Sequence, residues 1–483
     1  MNRYLTTTLP YVNADPHIGF ALELLQADTL ARLWRANNDE VFFSTGTDEH
    51  GQKILEAAKK AGQAVQTYVD HYAEEVRKLQ QALNLSTNAF VRTTDPAHIK
   101  AAQEMWRLCE AAGDIYKKMY VGLYCVGCEE YKTQKELDES GHCQLHPSLE
   151  IQKIEEENYF FRLSKYQERL LAYLDSADVI VPEWRRAEAR AFVESGLEDF
   201  SISRKKEKLG WGVSVPGDES QVMYVWFDAL TNYISTLGWP EDTQNFEKFW
   251  QNGRTLQVAG KDQVRFQSVM WQAMLMSANI KNTDQVFYHG FINSAGQKMS
   301  KSIGNVISPY DLISKYGADA TRYLLLRHVH PVDDSDVTWE RLDEWYTANL
   351  VNGLGNLVAR VMKLAEDHLD APVEVGELRA DGQIVDEIQK FRFNEAIDMI
   401  FAKIGAADAQ MTKEEPYKKI KSAGSAERQE AIDSIKSLVS FLITIAGNLV
   451  TIMPSTSGVI LSAIRANKKP DNLFPRLIEV SPR

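Results

Sequence analysis

Apolar positions at the start of the chain switch repeatedly between two periods. Arg3 to Leu9 is Thr-rich and β-compatible, and Asp15-Pro16 breaks it. From Ile18 to Trp34 the apolar residues Leu22, Leu25, Leu30 and Leu33 recur at helical spacing. Val41-Phe42-Phe43 predicts a second strand and Gly51 to Ala61 a second helix. Ala89-Phe90-Val91 and His98 to Ala112 repeat the pair. Strands alternating with helices predict an α/β fold with a parallel sheet of Rossmann type.

The pattern breaks at Tyr116. A Cys/His knuckle is followed by an acidic, aromatic stretch from Glu150 to Leu174. Strand and helix signals resume with Trp211 to Val215, Gln221 to Phe227 and Leu256 to Ala259. Beyond Trp345 amphipathic helices dominate, as in Trp345 to Leu364 and Ser434 to Ile452, and strand signals return only in the last few residues. Four segments follow: 1–115 and 209–344 as halves of a split catalytic α/β domain, 116–208 as an inserted connective domain, and 345–483 as an α-helical domain. A chain of 483 residues is long enough for such a division.

Composition adds bounds. The 44% hydrophobic and 25% charged residues are an ordinary globular balance. No apolar run approaches the roughly 20 residues of a membrane helix, and Met1 to Pro10 has no signal-peptide h-region, so a cytoplasmic protein off the membrane is expected. The formal charge of −13 argues weakly against a nucleic-acid partner, although one local basic face would suffice. The only cysteines are Cys109, Cys125, Cys128 and Cys143, and three of them cluster, which points to a metal rather than disulfides.

Three segments carry candidate chemistry. His17-Ile18-Gly19-Phe20 sits between the first strand and the first helix, where a helix N-terminus offers N–H groups to a phosphate. His17 adds a donor, and Gly19 lets a nucleotide approach the backbone. Lys298-Met299-Ser300-Lys301-Ser302, flanked by Gly296 and Gly304, makes a cationic loop able to neutralise a triphosphate. Cys125 and Cys128, followed by Cys143 and His146, supply three thiolates and an imidazole, a closed tetrahedral set for one structural Zn2+. His142 competes for the fourth place, but His146 keeps the two-residue gap. Cys109 reads as a core residue beside Trp106.

The first two segments resemble the HIGH and KMSKS signatures of class I aminoacyl-tRNA synthetases. Thr45-Gly46-Thr47-Asp48-Glu49-His50-Gly51, Glu156 to Phe161, Tyr224-Val225-Trp226-Phe227-Asp228-Ala229 and Gly260-Lys261-Asp262 are similar to methionyl-tRNA synthetase segments. The resemblance runs over essentially the whole chain. It implies a ligase that forms methionyl-adenylate from L-methionine and Mg2+-ATP and passes the methionyl group to tRNA(Met). By that resemblance the methionine pocket is Leu9, Tyr11, Asp48, Trp226, Ala229, Tyr233 and Gln267, with Asp48 on the ammonium group. ATP meets His17, Gly19, Phe20, Glu23, Gly260, Asp262 and Lys298 to Ser302. His17, Gly19, Lys298 and Lys301 carry catalysis. Asn356, Arg360 and Tyr417 meet the anticodon.

Some positions depart from the family pattern. Phe20 replaces the signature's last His, Gln263 an aliphatic residue, Gln267 a His, and Tyr417 a Trp. The end of the chain at Arg483, without a further tRNA-binding domain, implies a monomer. Three alternatives remain: a synthetase for another aliphatic amino acid, which would carry a longer editing insertion; a cysteine-specific one, which needs an open zinc; and a non-catalytic tRNA-binding relative.

Overall fold

The structure, a computed structural model, describes residues 1–477 other than 129, 133, 177, 295, 300–305 and 423, and of Tyr120, Glu130, Lys135, Ile154 and Lys298 only the backbone. The chain divides into two compact units. One gathers Met1–Pro16, Asn38–Gln80 and Thr87–His289; the other gathers His17–Asn37, Gln81–Ser86 and Gly290–Arg483.

The first unit is built on the expected parallel sheet. Its six strands lie in the order Ala89–Arg92, Glu40–Thr47, Asn2–Thr6, Arg254–Gly260, Gln285–His289 and Ile180–Val181. Asn2–Thr6 pairs on one side with Glu40–Thr47, from Asn2↔Glu40 to Thr6↔Ser44. On the other side it pairs with Arg254–Gly260, from Arg3↔Arg254 to Thr6↔Gln257. The first half of the sheet therefore grows to one side of the first strand and the second half to the other. Such a reversal leaves a crevice beyond the strands' carboxyl ends, where open α/β sheets bind ligands. The segments leaving those ends carry Leu9 to Val12, Asp48, and Gly260 to Asp262. Both faces of the central strands are buried, as Leu256, Val258, Val286 and Phe287 show, which explains their short continuous apolar runs.

Within 116–208 the structure departs from a bare knuckle. Ile115–Cys125 pairs antiparallel with Gln152–Phe161, from Ile115↔Phe161 to Tyr124↔Gln152. Glu130–Lys132 and Phe200–Ser201 complete a four-stranded sheet. The acidic residues there alternate in their environment: Glu156 is buried against Arg204 at 2.8 Å, while Glu155 and Glu157 are exposed. Ile180–Val181, also inside this stretch, belongs to the main sheet and pairs with Val286 and Phe287. A two-residue strand between polar segments offers no period to read.

The second unit is mainly helical. It holds Ile18–Ala36, Ala318–His328, Trp339–Trp345, Asn356–His368, Phe393–Glu414, Ser425–Leu449 and Pro454–Ala466. Tyr346–Gly355 links two of these as wide π-type turns. A small sheet joins Ile292–Ser294, Gln297–Lys298 and Ser335–Asp336. Ser425–Leu449 is long and apolar enough to cross a membrane, but half of its most apolar window is buried inside the protein, which suits a core helix. The strand signal of the last few residues falls largely outside the described residues.

Candidate functional site

In the first unit, the loop after Asn2–Thr6 and the end of Glu40–Thr47 are tied together. Tyr11 and Asp48 form a parallel bridge. The Asp48 N–H donates to the Pro10 carbonyl at 3.1 Å, and the Val12 N–H to the Asp48 carbonyl at 3.3 Å. The Asp48 side chain is buried, at the carboxyl edge of the sheet.

An aromatic wall stands beside it. Tyr11 packs edge-on against Trp226 at 6.0 Å, and Trp226 stacks on Phe266 at 3.8 Å. The short helix Val225–Leu230 carries Trp226 and Ala229. The wide turn Phe266–Met270 carries Phe266 and Gln267. Gln267 is fully buried, and its side-chain N–H donates to the Tyr233 hydroxyl. The indole N–H of Trp226 and Oε1 of Gln267 are buried without a hydrogen-bond partner among the described residues. Buried polar atoms in native proteins are normally satisfied, and these two are among several such atoms in the structure. Tyr11, Asp48, Trp226, Tyr233 and Gln267 were expected in the amino-acid pocket; Phe266 was not. Its place became legible only once the wide turn brought it over Trp226. Leu9 lies half-buried in the same loop.

At the end of Arg254–Gly260 the backbone approaches Asp262 closely. A Cβ on Gly260 would sit 2.8 Å from Asp262 Oδ1. Asp262 is exposed, and Gln263 donates to its Oδ2 at 3.2 Å. Gln263 thereby supplies a polar neighbour that an aliphatic residue would not.

In the second unit, His17 is the N-cap of Ile18–Ala36. Its Nδ1 accepts the Gly19 N–H at 3.1 Å, which leaves Nε2 as the ring's donor in the neutral form. A Cβ on Gly19 would stand 2.9 Å from the His17 ring. Phe20 and Glu23 lie buried on the same helix. The Ile18 N–H donates to the Ile307 carbonyl at 3.4 Å, so the chain just beyond the lysine loop returns to the first signature. Lys298 and Met299 follow Ile292–Ser294 through a tight reversal pairing Asn293 with Lys298. The Lys298 side chain and Ser300, Lys301 and Ser302 lie outside the described residues.

The cysteine cluster forms as the spacing predicts. One donor atom from each of Cys125, Cys128, Cys143 and His146 lies within 4.8 Å of the others. His146 Nδ1 is 3.2 Å from Cys128 Sγ and 3.8 Å from Cys125 Sγ; Cys128 and Cys143 Sγ are 3.5 Å apart. A tetrahedral ion with bonds of about 2.0–2.3 Å has ligand edges of roughly 3.3–3.8 Å. Burial pushes the Cys128 thiol above its ordinary value, while at Cys143 burial is outweighed by backbone and thiol hydrogen bonds, which lower its value. A Cβ on Gly127 would meet the His146 ring at 2.5 Å, so only glycine admits this ligand. The set can hold a metal ion.

A surface pocket of about 450 Å³ in the second unit is lined by Ala359, Arg360, Lys363, Leu364, Met411, Tyr417 and Lys469. It brings together Arg360 and Tyr417, which lie far apart in sequence. Asn356 is exposed one turn earlier on the same helix. Arg360 pairs with Asp408 at 2.9 Å.

Comparison with known proteins shows the family of the chain. Residues 3–152 and 134–362 match the family model described as tRNA synthetases class I (M). The chain is 44% identical over 373 residues to the methionine–tRNA ligase of Thermosynechococcus vestitus, covering 76% of this chain and 70% of that protein. It is 35% identical over 486 residues to the same enzyme of Fusobacterium nucleatum, covering 98% and 76%. Its structure superposes on Mycobacterium tuberculosis methionyl-tRNA synthetase in complex with methionyl-adenylate with a TM-score of 0.90 at 35% identity, covering 99% and 98% of the two chains.

Proposed function

This chain belongs to the class I methionyl-tRNA synthetases, and from that premise we propose how its residues divide the work. The reaction is that of a methionine–tRNA ligase: methionine and ATP give methionyl-adenylate and pyrophosphate, and the methionyl group then passes to tRNA. A carboxylate oxygen of methionine attacks the α-phosphorus, and the bond to the bridging oxygen of pyrophosphate breaks. A terminal ribose hydroxyl of tRNA(Met) next attacks the adenylate carbonyl, and AMP leaves. No covalent enzyme intermediate is needed, so catalysis is positioning and charge stabilisation.

We assign the ammonium group to Asp48. The thioether lies against Tyr11, Trp226, Ala229 and Tyr233, since an aromatic wall suits a polarizable sulfur. Gln267 offers its Oε1 at the pocket floor. Gly260 and Asp262 hold the ribose. His17 donates to a phosphate from Nε2, with the helix N-terminus and Gly19 beside it, and Lys298 and Lys301 neutralise the departing pyrophosphate. Magnesium entering with ATP supplies further charge neutralisation on the phosphates. Phe20 contributes packing rather than a donor. The four-ligand cluster holds zinc in a closed, structural site. Arg360 and Tyr417, with Asn356 nearby, receive anticodon bases. A cytoplasmic monomer free of membranes completes the reading.

The Trp226 indole N–H and Gln267 Oε1, both buried without a hydrogen-bond partner among the described residues, support the pocket assignment. The division of labour is tested by two variants. Lys301→Ala should slow tRNA-independent ATP–pyrophosphate exchange about a hundredfold, as loss of one transition-state charge contact does. Tyr417→Ala should leave exchange unchanged and weaken aminoacylation by about 1–3 kcal/mol, the cost of one lost base stack. Equal damage to exchange by both would overturn the anticodon assignment.

A further inference from the structure

The first unit contains a fully buried polar cluster with no role in the reaction as assigned. Asp228, 0% exposed, lies between two imidazoles. Its Oδ2 is 2.8 Å from His50 Nδ1, and its Oδ1 is 3.0 Å from His98 Nε2. His98 Nδ1 is 2.9 Å from the Ser235 hydroxyl. One set of tautomers satisfies both carboxylate contacts: His50 donates from Nδ1 and His98 from Nε2, which leaves His98 Nδ1 to accept from Ser235. Burial works against the charge on Asp228, but the two imidazoles outweigh it and hold its carboxyl below the ordinary carboxylate range.

The position of the cluster gives it a purpose. His50 lies two residues past Asp48, and Asp228 lies two residues past Trp226 in the helix Val225–Leu230. The His50–Asp228 bond therefore joins the strand end bearing the pocket's carboxylate to the helix bearing its aromatic wall. The same strand end is fixed on its other side. Glu49 accepts both Arg92 Nε and Nη2, at 2.7 and 2.9 Å. Trp211, edge-on to His50 at 5.5 Å, donates its indole N–H to the Glu49 carbonyl at 2.6 Å. Three successive residues thus divide two jobs: Asp48 faces the assigned pocket, while Glu49 and His50 anchor the strand end that carries it. A buried charged network of this kind is a costly way to hold an ordinary loop, since apolar packing would serve stability as well. What it adds is a fixed distance and direction.

We propose that His50, Asp228 and His98 are positioning residues that set the separation between the methionine-ammonium site and the thioether wall, and so determine methionine affinity without touching the substrate. The proposal rests on the pocket assignment above. It predicts a selective change in methionine binding, because the ATP groups lie on other segments.

The test compares paired variants of the full-length enzyme in pyrophosphate exchange. His50→Ala removes the donor, whereas His50→Asn keeps one near the place of Nδ1. His98→Ala and His98→Gln do the same for Nε2. The alanine variants should raise KM for methionine tenfold or more, with KM for ATP and kcat within about twofold of wild type. The amide variants should recover KM for methionine to within about threefold. Amide and alanine variants behaving alike, or methionine KM, ATP KM and kcat shifting together, would overturn the proposal. If His50→Ala does not fold, the His98 pair reads the same ratio. Failure of the pocket assignment is separable: Asp48→Asn would then leave KM for methionine unchanged.

Discussion

Removing Arg322 should expose how the second unit holds the helix that His17 caps. Arg322 and Asp28 are both fully buried and lie 2.7 Å apart. Arg322 also donates to the Ile452, Thr451 and Leu83 carbonyls, at 2.6, 3.1 and 3.3 Å. Burial opposes the charge on Asp28, but Arg322 and then Arg32 overcome it and lower its pKa. In Arg322→Met, Asp28 keeps Arg32 at 2.7 Å and two donors from Ser86. Breaking a buried pair costs about 3–5 kcal/mol; the remaining partners put this case near the lower end, about 3 kcal/mol. The assay is urea unfolding followed by far-UV circular dichroism, in a double-mutant cycle with Asp28→Asn. If the uncompensated charge is the cause, Asp28→Asn/Arg322→Met should be more stable than Arg322→Met alone. A double variant less stable than Arg322→Met would refute the reasoning and assign the loss to the carbonyl contacts. The sign of the pH dependence follows from the lowered pKa. Asp28's contribution is present above its unfolded pKa, near 3.8, and is lost as pH falls through the lower folded value.

Two further outcomes are expected. His328 stacks on Trp345 at 4.2 Å, and burial, with Arg327 adding to it, holds its pKa down at about 3. The unfolded chain takes up that proton near 6.5, so stability is full above that value and falls toward pH 3. The loss at pH 5 is about 2 kcal/mol; equal pH dependence in wild type and His328→Phe by urea titration would contradict this. Metal analysis of purified protein should give one zinc per chain, and Cys125→Ser with Cys128→Ser should lose it together with thermal stability; a zinc-free protein of unchanged melting temperature would remove the structural role.

How much was legible in the sequence differs from region to region. The main sheet was, because its buried strands are short apolar runs set between amphipathic helices, as in Val41-Phe42-Phe43. The knuckle was too, since metal geometry ties ligand identity to spacing, and His146 rather than His142 joined the cluster. The helix Val65–Ala82 was missed. Its buried positions Tyr68, Val69, Ala73, Val76 and Leu79 are spaced helically but diluted by polar residues. The sheet of the insertion was hidden for a related reason: Glu156 and Arg204 occupy buried positions that pattern reading assigns to solvent. Phe266 and the His50–Asp228–His98 cluster depend on contacts between segments distant in sequence, and no local pattern encodes them.

The most direct test of the central claim is ATP–pyrophosphate exchange by the purified protein with each of the twenty standard amino acids and no tRNA. Exchange should be strongest with methionine. Stronger exchange with valine, leucine or cysteine, or none that depends on an amino acid, would contradict the account.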